Sequence, residues 1–154
     1  MFINAQTIPT PPQRTASIAA TQSLEFGDLT IIPGSLGGTV TVDHLGTRSA
    51  SGSVILLNLG SPVRPAIFEY KLCPGRLVTV SYPESITLNG SAGGTLTLNI
   101  GPTSIGVTGD TFISNKGCDD VHQISVGGTL TVGSMAANPR GYYTGTFQLT
   151  FIQQ

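Results

Sequence analysis

At 154 residues the chain has the length of one domain built on one core. Charged residues make up only 10% of it, against roughly 25% in an average soluble protein, while glycine and proline are abundant and tryptophan is absent. The formal net charge is -1 and the seven basic residues (Arg14, Arg48, Arg64, Lys71, Arg76, Lys116, Arg140) are scattered, so nothing favours a phosphate backbone, and nucleic acid is excluded as an expected partner.

The chain opens with Met1-Phe2-Ile3-Asn4-Ala5 and Gln6-Thr7, which reads equally as the small-residue tail of a cleaved export signal or as a cloning start. Pro9, Pro11 and Pro12 form a stiff connection, which sets residues 1–14 apart as an extension and leaves 15–154 as a single domain. No apolar run approaches the roughly 20 residues needed to cross a bilayer.

From there onward no apolar i, i+3, i+4, i+7 pattern persists, which excludes helix as a major component. Period-two alternation takes its place: Ala16, Ile18, Ala20 and Leu24; Val40 and Val42; Val54 to Leu59; Ile67 to Tyr70; Leu77 to Tyr82. It continues through Ile86 and Leu88, Leu96 to Ile100, Ile124 and Val126, and Leu130 and Val132. Turn chemistry separates these runs at Pro33-Gly34, Gly60-Ser61-Pro62, Pro74-Gly75, Asn89-Gly90, Gly101-Pro102 and Asn138-Pro139. Short strands at this spacing predict an all-β sandwich.

The form GGT[VL]T[VL] is written three times, starting at Gly37, Gly93 and Gly127. Unequal intervals exclude a solenoid or propeller. Each copy leads into alternating Thr and aliphatic residues, whereas a phosphate loop feeds a helix N-terminus. The motif is therefore expected to be a strand entrance.

The last stretch alternates most regularly, with Tyr143, Gly145, Phe147, Leu149 and Phe151 on one face and Thr144, Thr146, Gln148 and Thr150 on the other. No charge blunts it, and a long uncharged terminal strand is a template for pairing with another chain.

Chemistry is sparse. His44 and His122 are the only histidines, and no G-x-S-x-G elbow is present, so no enzyme is expected. Cys118-Asp119-Asp120 with His122 lacks a second, spaced ligand pair and reads as a polar loop rather than a metal centre. Asp110 and Asp119-Asp120 read as solvated carboxylates rather than calcium ligands. No cofactor is implied. Cys73 and Cys118 both belong to expected strand-end loops; they are either bridged or two separate buried thiols, with the bridge preferred. Asn89-Gly90-Ser91 fits a glycosylation acceptor but is better explained as a turn.

In order, Leu24-Glu25-Phe26-Gly27, Gly38 to Val42, Pro65 to Phe68, Pro74-Gly75 with Val78 to Pro83, Val126 to Leu130 and Gly141 to Phe147 resemble the bacterial DUF4402 family over about Ala16 to Phe151. The chain departs from the pattern at Cys73, where glycine is frequent, and at Gln153-Gln154, where a closing aromatic is usual. The resemblance implies a secreted, pilin-like, immunoglobulin-like sandwich similar to subunits of chaperone-usher fimbriae. In such subunits one strand is missing, and an N-terminal extension of the next subunit completes the sheet beside the C-terminal strand. Carried over, the receiving groove is Tyr143, Gly145, Phe147, Leu149 and Phe151, and the donor segment holds Phe2, Ile3, Ala5 and Ile8. Thr15 to Leu24 is either a donor itself or, as preferred, the first strand of its own sandwich. Implied partners are further copies of the chain in a homopolymer, a periplasmic chaperone and an outer-membrane usher. The implied location is the bacterial surface, reached through the periplasm. The alternative is a monomeric adhesin of the same fold, with loops near Asn138-Pro139-Arg140 or Ile105 to Cys118 touching a glycan or host protein.

Overall fold

Alternating side chains become strands where one face finds apolar cover, and glycine or proline breaks mark where the chain reverses. The computed structural model describes residues 2–4 and 17–153. In chain order the strands are β1 (Phe2–Asn4), β2 (Ser17–Gln22), β3 (Glu25–Phe26), β4 (Asp28–Ile31), β5 (Gly38–Val42) and β6 (Arg48–Gly52). Next come β7 (Val54–Leu57), β8 (Val63–Arg64), β9 (Ala66–Lys71), β10 (Leu77–Ser81), β11 (Ser85–Gly90) and β12 (Thr95–Thr103). The chain finishes with β13 (Thr111–Ile113), β14 (His122–Val132), β15 (Tyr143–Thr144), β16 (Thr146–Gln148) and β17 (Thr150–Gln153).

The fold is all-β, a sandwich of curled sheets. The largest runs β15-β11-β12-β14-β5-β6, with β9 also on β14 and β2 on β9. A second layer contains β13-β10-β17, and β4-β7 and β3-β8 form short ribbons. Among the described residues every strand pair but β1–β16 is antiparallel. The core holds Val40, Val42, Phe68, Val78, Val80, Leu98, Ile124, Val126, Leu149 and Phe151, all fully buried, and burying apolar area at about 25 cal/mol per Å² is what holds such layers together.

Ser17–Gln22 pairs with β9, so this segment is the first strand of its own sandwich. β6 carries no apolar alternation in sequence: its residues Arg48-Ser49-Ala50-Ser51-Gly52 are mostly exposed, and the strand is held by its ladder to β5 and by a hydroxyl pair between Thr39 and Ser51. The β5–β6 reversal is set by Asp43, whose Oδ1 accepts from the amides of Leu45 and Thr47 at 2.9 Å.

The three GGT copies are not alike. Gly37-Gly38 and Gly93-Gly94 do open strands, with Gly37, Gly93 and Gly94 at positive φ. Gly127-Gly128 instead lies inside β14, where that strand exchanges β9 for β5 as its neighbour. A Cβ on Gly127 would stand 2.5 Å from the Val42 carbonyl oxygen, so close backbone approach, not turn geometry, requires glycine there. Likewise Asn89-Gly90 completes β11, and the turn is the following Ser91–Gly94, closed by Gly90 N–H donating to Gly94 O at 3.0 Å.

Cys73 and Cys118 are disulfide-bonded across 45 positions of sequence. The bridge joins the β9–β10 and β13–β14 loops. Gly75 N–H donates to Ser114 O (2.8 Å) and Ser114 N–H to Arg76 O (3.1 Å) beside it.

Candidate functional site

The C-terminal segment does not run as one strand. Its alternation is intact, with Phe147, Leu149 and Phe151 buried and Thr144, Thr146 and Gln148 exposed. The pairing, however, changes along it: β15 lies on β11, β16 on β1, and β17 on β10. Gly145 sits at the first break, where an added Cβ would meet Leu88 Cδ2 at 2.5 Å and Thr87 O at 3.1 Å. A side chain there would push the segment away from β11.

On the far side stands a wall made by Leu24 to Ile31, carrying β3 and β4. Among the described residues each of these strands has a ladder partner on one side only, β8 and β7 respectively. Arg48 fixes this wall. Its guanidinium donates to the carbonyls of Phe26 (3.0 Å), Asp28 (3.1 Å) and Leu57 (3.0 Å) and to Asn58 Oδ1 (3.3 Å), a fork geometry that lysine lacks. Glu25 and Arg64 form a rim ion pair at 3.1 Å, and Ser61 Oγ donates to Asp28 Oδ1 at 2.9 Å.

Between this wall and Tyr143 to Gly145 lies a cavity of about 520 Å³. Its floor is core: Leu88, Leu96, Leu130 and Val132, with Leu24 and Phe26 on one side. The loop from Met135 to Tyr142 forms the other margin. Asn138 pins that loop, accepting from Gly133 N–H at 2.5 Å and donating to Thr95 O at 2.6 Å, and the Tyr143 hydroxyl donates to Pro139 O at 2.7 Å.

Continuing along the same gap, β1 runs parallel to β16 in the register Phe2 with Thr146, Ile3 with Phe147 and Asn4 with Gln148, with β2 beside it. The chain's own N-terminal strand therefore occupies part of the edge that its C-terminal segment offers.

Of the residues singled out in the sequence, Tyr143 and Gly145 line the cavity. Phe147, Leu149 and Phe151 are closed into the core, and Phe2 and Ile3 lie on β1. Ala5 and Ile8 lie outside the described residues, as does most of the 1–14 extension. The sequence reading overlooked the cavity wall at Leu24 to Ile31 and Arg48 as its clamp; the signal available was Glu25-Phe26-Gly27-Asp28, a short run whose glycine marks a break between two ribbons.

The gap offers apolar side chains and one-sided strand edges, which suit an extended apolar segment. Neither histidine lines it, and no group of three metal-ligating side chains occurs among the described residues. Burial raises the Tyr70 phenol above its ordinary 10.0. Tyr82 is raised as well, by burial first and by Asp110, against a hydrogen bond to the Thr108 backbone that lowers it. Among the described residues no helix is long and apolar enough to cross a membrane.

One family model, described as a domain of unknown function (DUF4402), matches residues 16–152. No curated protein and no solved structure matches the chain.

Proposed function

The chain belongs to the DUF4402 family, and from that premise we propose that it is a structural subunit of an extracellular fibre on a bacterial surface, assembled by strand donation between copies. The observation that carries this reading is the cavity of about 520 Å³ between the β3–β4 wall and Tyr143 to Gly145, floored by core leucines. Such a floor suits the alternate side chains of an inserted strand: six residues laid along Tyr143 to Gln148 span roughly 20 Å. Main-chain bonds to the strand edges give affinity, and the floor gives register. The donor is the segment of Phe2, Ile3, Ala5 and Ile8, joined to the body through Pro9, Pro11 and Pro12. On this reading a periplasmic chaperone shields the gap before assembly and an outer-membrane usher exports the subunit.

Electron microscopy and light scattering on the oxidised full chain test it. Filaments or a ladder of oligomers growing with concentration are expected; a strict monomer at every concentration sinks the proposal.

A second reading, a monomeric adhesin, draws on Tyr142, which is 83% exposed beside Arg140 at the cavity margin. Glycan-array binding by monomer, lost in Tyr142→Ala, would favour it over the fibre.

A further inference from the structure

We propose that β6 is a docking edge for a second copy of the chain, pairing with its own counterpart in antiparallel sense about a two-fold axis through Ala50. The contact uses neither the cavity nor β1, so it goes beyond strand donation and does not depend on it.

The register of the β5–β6 hairpin decides which main-chain groups are free. Asp43 N–H donates to Thr47 O (3.1 Å) and Ser53 N–H to Gly37 O (3.0 Å), so these are hydrogen-bonded pairs of the ladder. Bonded and non-bonded pairs alternate in an antiparallel ladder, which makes Thr41 with Ser49 and Thr39 with Ser51 the bonded pairs between those ends. The N–H and C=O groups of Arg48, Ala50 and Gly52 therefore point away from β5. Among the described residues β6 pairs with β5 alone, and Ser49 to Gly52 are exposed. The outer edge is an unfilled row of donors and acceptors.

Natural edges of this kind are blunted by lysine, proline or a bulge. β6 has none of them. Beyond Arg48 its side chains are Ser49, Ala50, Ser51 and Gly52, all small and uncharged. Its one charge is withdrawn, because the Arg48 guanidinium is turned onto the carbonyls of Phe26, Asp28 and Leu57. A second β6 laid antiparallel with Ala50 at the axis sets Arg48 opposite Gly52 of the other copy, and these positions, like Ala50 with its own counterpart, exchange N–H to O=C bonds in both directions. No like charges meet.

The same axis accounts for exposed apolar side chains beyond both ends of the strand. Past Gly52 the chain turns a corner at which Ile32 N–H bonds Ser53 O (3.0 Å), and Leu36 (92% exposed), Ile32 and Ile55 stand in solvent around it. Past Arg48, in the other direction, comes the Asp43 turn, which carries Leu45 at 79% exposure. Two-fold pairing brings the Leu45 turn of each copy to the corner of Ile32 and Leu36 on the other. Single exposed leucines need no explanation; a set that one axis brings together does. A five-residue edge is roughly 17 Å long and, even with these contacts, falls short of the roughly 800 Å² per partner of a standard stable interface. The pair is a weak one, populated in concentrated protein.

Cysteines at the axis test it. The native cysteines are bridged, so Ala50→Cys in the full chain carries the single free thiol, and a hydrogen-bonded antiparallel pair sets the two Cα atoms about 5.5 Å apart, inside the range for a disulfide. Under mild oxidation, non-reducing electrophoresis should show a crosslinked dimer that grows with protein concentration. Ser49→Cys and Ser51→Cys oppose each other, not themselves, in this register; with one preparation isotopically heavy, their mixture should give roughly fivefold more heavy–light dimer than either self-crosslinked species, since directly opposed positions are nearest. Ala50→Lys added to both chains sets like charges opposite each other and should remove that excess, with the urea midpoint unchanged because Ala50 is exposed. Equal crosslinking of Ala50→Cys and Ser49→Cys alone, or a heavy–light yield at the statistical value, overturns the proposal. Filaments without the register signature overturn the edge contact and leave strand donation standing; the signature without filaments does the reverse.

Discussion

The two ends of the C-terminal segment share one sequence pattern and differ in almost everything else. At the β17 end, Phe151 packs edge-on to Tyr70 (centroids 4.8 Å) and Phe112 (5.9 Å), β10 and β13 complete the layer, and the Cys73–Cys118 bridge closes the neighbouring loops. At the β15 end, Tyr143 and Thr144 have only β11 as ladder partner among the described residues, and the other side faces the cavity. Alternation therefore decides which side chains turn inward, while the neighbours supplied from elsewhere in the chain decide whether that inward face is covered. One end is covered by the molecule's own strands; the other borders the cavity.

If that contrast is right, stability resides at the closed end. Phe151→Ala is expected to cost about 3–5 kcal/mol, as for other large aromatic truncations, measured as a lower urea midpoint. A loss under about 1 kcal/mol would mean that the aromatic cluster is not the anchor. Removing the bridge by Cys73→Ala with Cys118→Ala should cost about 2–4 kcal/mol in the chain-entropy account, read the same way.

Alkali sharpens the contrast further, since burial raises the Tyr70 phenol and, with help from Asp110, that of Tyr82. Both phenols are neutral below 10.0 in either state. Above that value the unfolded chain loses protons that the folded chain keeps, so stability is fully present below about pH 10 and falls as pH rises through the raised folded values. Chemical denaturation between pH 7 and 11 should show the decline, and Tyr70→Phe should reduce it.

At the open end the effects shrink. Tyr143→Phe removes the donor to Pro139 O while keeping the ring, and is expected to cost about 1 kcal/mol. The same variant loosens the 135–142 margin of the cavity, so amide exchange of the Ala137 and Asn138 N–H groups should quicken more than that of any β14 amide.

How much of this was legible follows from the same division. The all-β class, the cores of β5, β9, β10, β12 and β14, and the inward set Phe147, Leu149 and Phe151 can be read from period-two spacing alone, because burial on one face imposes that period. The role of Gly127-Gly128 is not, since nothing local distinguishes that pair from Gly93-Gly94; only the approach of Val42 and Asp43 to β14 does. Nor is β6, which has no apolar face to betray it. The cavity is the clearest case. Its floor comes from Leu88, Leu96 and Leu130 on three different strands and its wall from Leu24 to Ile31, a convergence set by long-range pairing. The pairing of β1 with β16 joins opposite ends of the chain and has no local signature.

The smallest expected effect tests whether the cavity wall is braced from its rim. Glu25 and Arg64 meet at 3.1 Å with side chains 33% and 45% exposed, so water screens the attraction and ordering two long side chains offsets much of it. Glu25 Oε2 has no hydrogen-bond partner among the described residues, so the carboxylate is used through one oxygen only. Glu25→Gln keeps that oxygen as an acceptor for Arg64 and removes the charge, which should change stability by less than about 0.5 kcal/mol. The clamp that matters is then Arg48, which holds three carbonyls of the wall ribbons, and Arg48→Met should move the urea midpoint well beyond Glu25→Gln. The reverse ranking would mean that the wall is held at its exposed rim by charge, and an insert would have to break an ion pair in order to enter rather than slide along a preformed edge.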